Sequence, residues 1–230
     1  MLDRTRRAED AIRQSSVVVG YKHYLENIRD LTDGKELLSS GMTQEVDRCR
    51  AALERARDGA VVAFVSSGDA GVYGMAGLAL ELAANEGFPL PIEIVPGVSA
   101  ANAAAARLGA PLMLDYACIS LSDLLVPWET IRRRVEAMAA ADLVLALYNP
   151  KSAKRVLQIE EVAAIVRQCR AGTTPVGVAT AVASEDERIV LTDLDHLLEQ
   201  EIGMRSVVII GNSSSKCLNG WFVTPRGYRL

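Results

Sequence analysis

Histidine is nearly absent from this chain: His23 and His196 are the two among 230 residues. That scarcity excludes a histidine-rich metal centre and a histidine-centred triad as the expected chemistry, and no metal ligands are expected. Cysteine is scarce too. Cys49, Cys118, Cys169 and Cys217 lie far apart and form no CxxC, so neither a zinc spacing nor a disulfide framework is present. Free, buried thiols in a reducing compartment are expected. Basic excess is missing: 25 Lys and Arg stand against 29 Asp and Glu, a net charge of -4, which argues against a nucleic-acid surface. No apolar run approaches the ~18 residues that span a bilayer. The opening residues, MLDRTRRAEDAIRQSS, carry charge throughout and hold no apolar signal core. The expectation is a cytoplasmic protein with neither nucleic acid nor membrane as partner.

What is present is a composition that builds a core, 50% apolar and 23% charged. The length suits one large domain or two small ones. Strand-like and helix-like patterns alternate, which predicts an α/β fold. Strands are expected at Val17–Gly20, Val61–Val65, Ile92–Val95, Tyr116–Leu121, Leu143–Tyr148, Pro175–Thr180, Arg188–Leu191 and Ser206–Ile210. Helices are expected at Thr43–Arg57, with Thr43 as N-cap and Val46, Cys49, Leu53 and Ala56 on one face, and at Gly71–Glu86 and Val98–Leu108. Two more are expected at Pro127–Ala140, with Pro127 in the first turn, and at Gln158–Arg170. The breaker run Gly109-Ala110-Pro111 marks a boundary between a first domain, 1–112, and a second, 113–230.

Ligands of open α/β sheets bind outside the carboxyl ends of the strands, and four loops are expected there: Ser66–Gly74, Pro96–Ala100, Tyr148–Lys151 and Gly211–Ser215. The first, SSGDAGVYG, is the most informative. Gly68, Gly71 and Gly74 allow close approach of backbone to a ligand. Asp69 sets a carboxylate among them, which suits ribose hydroxyls or the cationic end of an amino acid and repels a phosphate. The pattern GDAGVYG is not GxGxxG, and no acidic residue ends a following strand as a dinucleotide site would require. The alternative is a helix start capped by Ser67 or Asp69. Ser99 in PGVSA stands near a helix start, where free N–H groups meet polar ligands or a cap. YNP reads as a ligand loop or a simple turn. Of the histidines, His23 is the better candidate for a ligand-side residue; His196 is expected at the surface.

Taken together, VVVGYKHYL, SGMTQEVDRC, SSGDAGVYGMAG, PGVSAANAAAARLGAPLMLD, ISLSDLLVPW, ALYNPKSAKR, TPVGVAT, VIIGN and TPRGY span residues 17 to 228. In this order they resemble the tetrapyrrole methylase family, and within it the precorrin-3B C17-methyltransferase branch of cobalamin biosynthesis. GDAGVYGMAG and PGVSA mark the superfamily; ISLSDLLVPW, YNPKS and TPRGY mark the branch. The resemblance implies two α/β domains, with a mostly parallel N-terminal sheet and a mixed C-terminal sheet, and S-adenosylmethionine held in the cleft between domains. It implies a homodimer acting on precorrin-3B or cobalt-precorrin-3, methylating C17 with ring contraction and releasing S-adenosylhomocysteine.

Residue by residue, it implies cofactor contacts at Gly68, Asp69, Ala70 and Val72, at Ser99 and Ala100, at Tyr148 and Asn149, and at Val178, Ala179 and Thr224-Pro225. Ring contraction needs proton transfers and carbonyl stabilisation, for which Ser120, Ser122 and Asp123 with Tyr21 and Lys22 are the candidates. Ser122 or Asp123 capping the following helix is the alternative. Lys22, Lys151, Lys154 and Arg155 are candidates to pair with the carboxylates of the substrate. Relatives open with an apolar strand and a GxGPG-type loop. Here Met1-Leu2 runs into DRTRRAEDAIRQSS, which matches the helix after that loop, so neighbouring strands are expected to lack ladder partners. A sibling methylase acting at another carbon, or a non-catalytic protein that binds a corrinoid intermediate, are the alternative functions.

Overall fold

The computed structural model describes residues 3–41 and 44–229, so Thr43, the expected N-cap, lies outside the described residues. The chain divides into two compact units, Met1–Ser99 and Ala100–Leu230, where the Gly109-Ala110-Pro111 breaker had suggested a boundary near residue 112.

In the first unit, α1 (Arg6–Gln14) is capped by Thr5, whose Oγ1 accepts from the Ala8 N–H at 3.2 Å. It is followed by β1 (Val17–Tyr21), the short helix α2 (Lys22–Glu26), β2 (Glu36–Ser40), α3 (Glu45–Arg57), β3 (Val62–Val65) and α4 (Ala76–Asn85). The sheet has the order β2-β1-β3 and is parallel throughout. Side chains of β1 alternate between its faces. Val18 joins Ile12, Leu25 and Ile28 on one side, and Val17 and Val19 join Ala52 of α3 on the other.

Three expectations fail in this unit. On α3 the buried residues are Arg48, Cys49, Ala52 and Leu53, so the inward face is rotated and Val46 is exposed. α4 begins at Ala76, five residues late. Residues 71–75 form bends in which Tyr73 takes φ 54°, and the Ala76 N–H reaches back to Ala70 O at 3.0 Å. Ile92–Val95 forms no strand. β3 is an edge strand of this sheet, with β1 as its partner among the described residues. The segment is held by side chains instead: Arg7 Nε donates to Glu93 at 3.1 Å, Thr5 Oγ1 donates to Pro96 O at 3.2 Å, and Leu90 and Ile92 pack beside Cys49 and Leu53.

The second unit opens with α5 (Ala100–Leu108) and β4 (Gly109–Ala110). It continues with β5 (Tyr116–Ser120), α6 (Trp128–Ala140), β6 (Val144–Tyr148), α7 (Gln158–Arg167), β7 (Pro175–Thr180), β8 (Arg188–Asp193), β9 (Ser206–Ile210), β10 (Lys216–Leu218) and β11 (Trp221–Val223). The breaker Gly109-Ala110 is therefore itself a strand, paired with β11. Pro127 sits just before the first turn of α6 and not within it. The main sheet has the order β5-β6-β9-β7-β8; β5 and β6 are parallel and the remaining pairs antiparallel, giving the mixed sheet expected.

β6 and β9 are buried along their whole length, as strands covered on both faces must be. Leu145 and Leu147 face α6 and α7 in one cluster. Val144, Ala146 and Tyr148 face α5 in the other. α5 lies close because its inward side is alanine and because Gly177 on β7 has no Cβ; one added there would sit 2.2 Å from Leu108 Cδ1.

The four cysteines are free, but only Cys49 is buried; Cys118, Cys169 and Cys217 are exposed. No helix among the described residues is long and apolar enough to cross a membrane, and no group of His, Cys, Asp and Glu among them is arranged to hold a metal. His196 is at the surface, its Nδ1 2.6 Å from Asp193 Oδ1. The hydrogen bond it donates to Asp193 raises the imidazole pKa above 6.5, and the same bond lowers that of Asp193 below 3.8. The raised imidazole stabilises the fold below its ordinary pKa, and that contribution is lost as pH rises through the raised value. NMR titration of His196 is expected to give a midpoint above 6.5, returning toward it in Asp193→Asn.

Candidate functional site

The carboxyl ends of β1, β2 and β3 lie at one edge of the parallel sheet, since Gly20 is level with both Ser39 and Val65. From the end of β3 the chain enters the glycine loop. Gly68 takes φ 67°, a left-handed conformation that glycine adopts without strain. Asp69 then turns its carboxylate onto backbone. Oδ1 accepts the Gly71 N–H at 2.8 Å and Oδ2 accepts the Gly97 N–H at 2.9 Å. One side chain thus ties the Ser66–Gly74 loop to the PGVSA loop, 28 residues further on. The two backbones touch: a Cβ on Gly97 would lie 2.1 Å from Gly68 O, and one on Gly74 would lie 2.5 Å from Ala70 O.

The Gly71 and Gly97 amides are therefore both occupied by the Asp69 carboxylate. Gly68 and Val72 are exposed, and Asp69 and Ala70 half-buried, so this loop presents its backbone outward. Ser66 Oγ, at the end of β3, is buried and has no hydrogen-bond partner among the described residues. Such orphaned hydroxyls are costly and point to a missing acceptor or donor. Ser66 was not singled out in the sequence, where one serine beside another carries no sign of being orphaned.

In the second unit, the loops after β5 and β6 form one cluster. Asn149 takes φ 50°, a conformation asparagine tolerates better than most residues. Its Nδ2 donates to Ser120 Oγ at 3.0 Å, and the same oxygen accepts the Ser122 N–H at 3.2 Å. The Leu121 N–H reaches Tyr148 O at 2.9 Å. Asp123 accepts from Gln158 Nε2 at 2.9 Å and stands 3.9 Å from Arg155 Nη1. Arg155 is buried and gives Nε and Nη2 to Asn149 O at 3.2 and 3.0 Å. It therefore holds the YNP turn in shape, a positioning role that the KSAKR run did not disclose. Leu124 and Leu125, at 80% and 97% exposure, stand out from this cluster.

Tyr148 is buried with its ring against α5, and its hydroxyl accepts the Ala101 N–H at 2.9 Å, which fixes the first turn of that helix beside Ala100. Val178 and Ala179 lie on β7 between β8 and β9 and are fully buried, so their side chains belong to the core. Thr224, also fully buried, bonds to Ser215 Oγ at 2.8 Å and places Pro225 next to the Gly211–Ser215 loop. That loop is folded on itself around Asn212, whose Oδ1 accepts from Ser214 and Ser215. Tyr21 and Lys22 end β1 and start α2, at the same sheet edge as the glycine loop. His23, half-buried, has Nδ1 3.5 Å from Glu26.

The sequence matches the family of Tetrapyrrole (Corrin/Porphyrin) Methylases over residues 3–198. It is 46% identical over 229 residues to a cobalt-factor III methyltransferase of Priestia megaterium, covering 98% of this chain and 42% of that protein; this chain thus spans less than half of that relative. It is 41% identical over 226 residues to a probable cobalt-factor III C(17)-methyltransferase of Salmonella typhimurium, covering 98% of this chain and 94% of that one. Among solved structures, the methyltransferase CobJ superposes with a TM-score of 0.90 at 34% identity, covering 96% of this chain and 93% of that one. The fold alone is shared with the uroporphyrin-III C-methyl transferase of Thermus thermophilus solved with S-adenyl homocysteine, at a TM-score of 0.66 and 21% identity over 90% of this chain and 85% of that one. With the family pattern covering most of its length, the chain belongs to the tetrapyrrole methylase family.

Proposed function

We propose that this chain transfers a methyl group from S-adenosylmethionine to C17 of cobalt-factor III or of precorrin-3B, with contraction of the macrocycle, as a step of cobalamin biosynthesis. The observation that carries the reading is the Asp69 carboxylate seated on the Gly71 and Gly97 amides. It leaves no amide nest for a phosphate and puts negative charge beside an exposed glycine backbone, which suits a cationic, phosphate-free donor. The orphaned Ser66 hydroxyl adds a polar contact at the same strand end.

When bound, S-adenosylmethionine supplies a methyl group on a positively charged sulfur and is released as S-adenosylhomocysteine. The residues of this chain contribute position. Gly68–Val72 and Ser99 hold the donor in the first unit, and alignment of carbon, methyl and sulfur is the main source of rate, since intramolecular orientation is worth up to ~7–11 kcal/mol. In the second unit Leu124 and Leu125 offer apolar surface to the face of a macrocycle, beside Ser122 and Asp123. Those two are the groups to move and hold protons during contraction, with the Ser120–Asn149 bond keeping their loop in place. The acceptor carbon is activated by its own conjugated ring, so no protein nucleophile is required.

Incubation with methyl-labelled donor and cobalt-factor III is expected to place one labelled methyl group on the macrocycle. Donor binding without any label in the tetrapyrrole would overturn the reading. Gly97→Val is expected to weaken S-adenosylhomocysteine binding at least tenfold in calorimetry while circular dichroism is unchanged, because its Cβ must displace the Gly68 carbonyl.

A further inference from the structure

Among the described residues three arginines are buried: Arg48, Arg155 and Arg170. Two are accounted for by the fold. Arg155 holds Asn149 O and stands 3.9 Å from Asp123. Arg170 donates to the carbonyls of Gly211 and Leu143, with Asp142 3.8 Å away. Arg48 is different. It is 7% exposed, and its Nη1 donates to Ser40 Oγ at 2.7 Å and Gly41 O at 3.0 Å, both uncharged. Among the described residues no carboxylate pairs with it; the neighbouring Asp47 lies 3.5 Å from Arg50 instead. A buried guanidinium without an anion is an expensive arrangement.

Arg48 lines a cavity of about 180 Å³. Its walls include Ser39, Ser40 and Gln44, with Val19 and Leu38 as the apolar part. The register puts it at the ligand end of the sheet: Ser40 is level with Tyr21, Lys22 follows directly, and β3 releases the glycine loop from the same edge. Pockets that enclose a whole drug-sized ligand run to ~300–1,000 Å³, so this one takes a side arm and not a macrocycle. The guanidinium fork matches a carboxylate in two-point contact. Asp47, also on the lining, disfavours a doubly charged anion such as phosphate.

We propose that this cavity seats one carboxylate arm of the tetrapyrrole on Arg48, making Arg48 a determinant of specificity for the polycarboxylate substrate. The inference rests on the tetrapyrrole reading above and deepens it. Arg48 acts in binding and takes no part in proton or methyl transfer, and the paired serines and Gln44 complete the hydrogen-bonding of the seated group.

The test uses the full chain and uroporphyrin III as a soluble polycarboxylate probe, with S-adenosylhomocysteine titrated in parallel. Arg48→Met is expected to weaken uroporphyrin binding at least tenfold and Arg48→Lys less, with S-adenosylhomocysteine affinity within twofold of the parent. Ala51→Leu fills the cavity from its lining without touching the charge, and is expected to weaken uroporphyrin binding as well. It keeps the test alive where Arg48→Met does not fold. If folded Arg48→Met or Ala51→Leu binds uroporphyrin III as the parent does, the proposal is overturned. If the parent methylates cobalt-factor III and both variants keep its KM, the Arg48 seat falls while the methylase reading stands. If the parent binds and methylates no tetrapyrrole, both fall together.

Discussion

A single carboxylate spans two backbone amides, Gly71 and Gly97, and the loops at the carboxyl edge of the first sheet are built around that contact. The glycines on either side are close enough that a Cβ at residue 97 would strike the Gly68 carbonyl. Two loops that would each be loose alone become one surface. Hydrogen bonds to a charged acceptor contribute roughly 1.5–3 kcal/mol each, enough to hold loops whose own apolar contacts are few. The contact also fixes the local electrostatics: both amides are taken, and the group that takes them is a carboxylate.

The second unit follows the same logic with different chemistry. The central strands β6 and β9 are buried on both faces, which makes β6 a rigid support for β5, paired along it in parallel. At their shared end Ser120, Asn149 and Arg155 cross-link the two loops. Asn149 in a left-handed conformation bends the chain back, and the buried arginine holds its carbonyl. Ser122 and Asp123 are thereby presented from a braced loop, with two exposed leucines next to them. In each unit, polar side chains thus fix the backbone of the loops at the strand ends.

Much of this could be read from residue order. Val144–Tyr148 and Ser206–Ile210 are continuous apolar runs, and buried strands have that signature. The acidic glycine loop was legible as a place where a carboxylate meets backbone amides, and Asp69 does accept two of them. The start of α4 was misjudged because Gly71 and Val72 carry no mark of the bend imposed by Asp69 and the Ala70 carbonyl. Short pairings such as β4 with β11 depend on residues more than a hundred positions apart, which local pattern does not encode. The burial of Arg48 and Arg155 was hidden for a related reason. Arginine is nearly always at the surface, and only tertiary contacts reveal one that is not.

Asp69 clasps the two loops proposed to hold the donor. Calorimetric titration of Asp69→Ala with S-adenosylhomocysteine measures this directly. Loss of both amide contacts is expected to weaken binding by roughly ten- to a hundredfold, one tenfold step for each ~1.4 kcal/mol, with the far-ultraviolet circular dichroism of the parent retained. A folded Asp69→Ala protein that binds S-adenosylhomocysteine as tightly as the parent would contradict it.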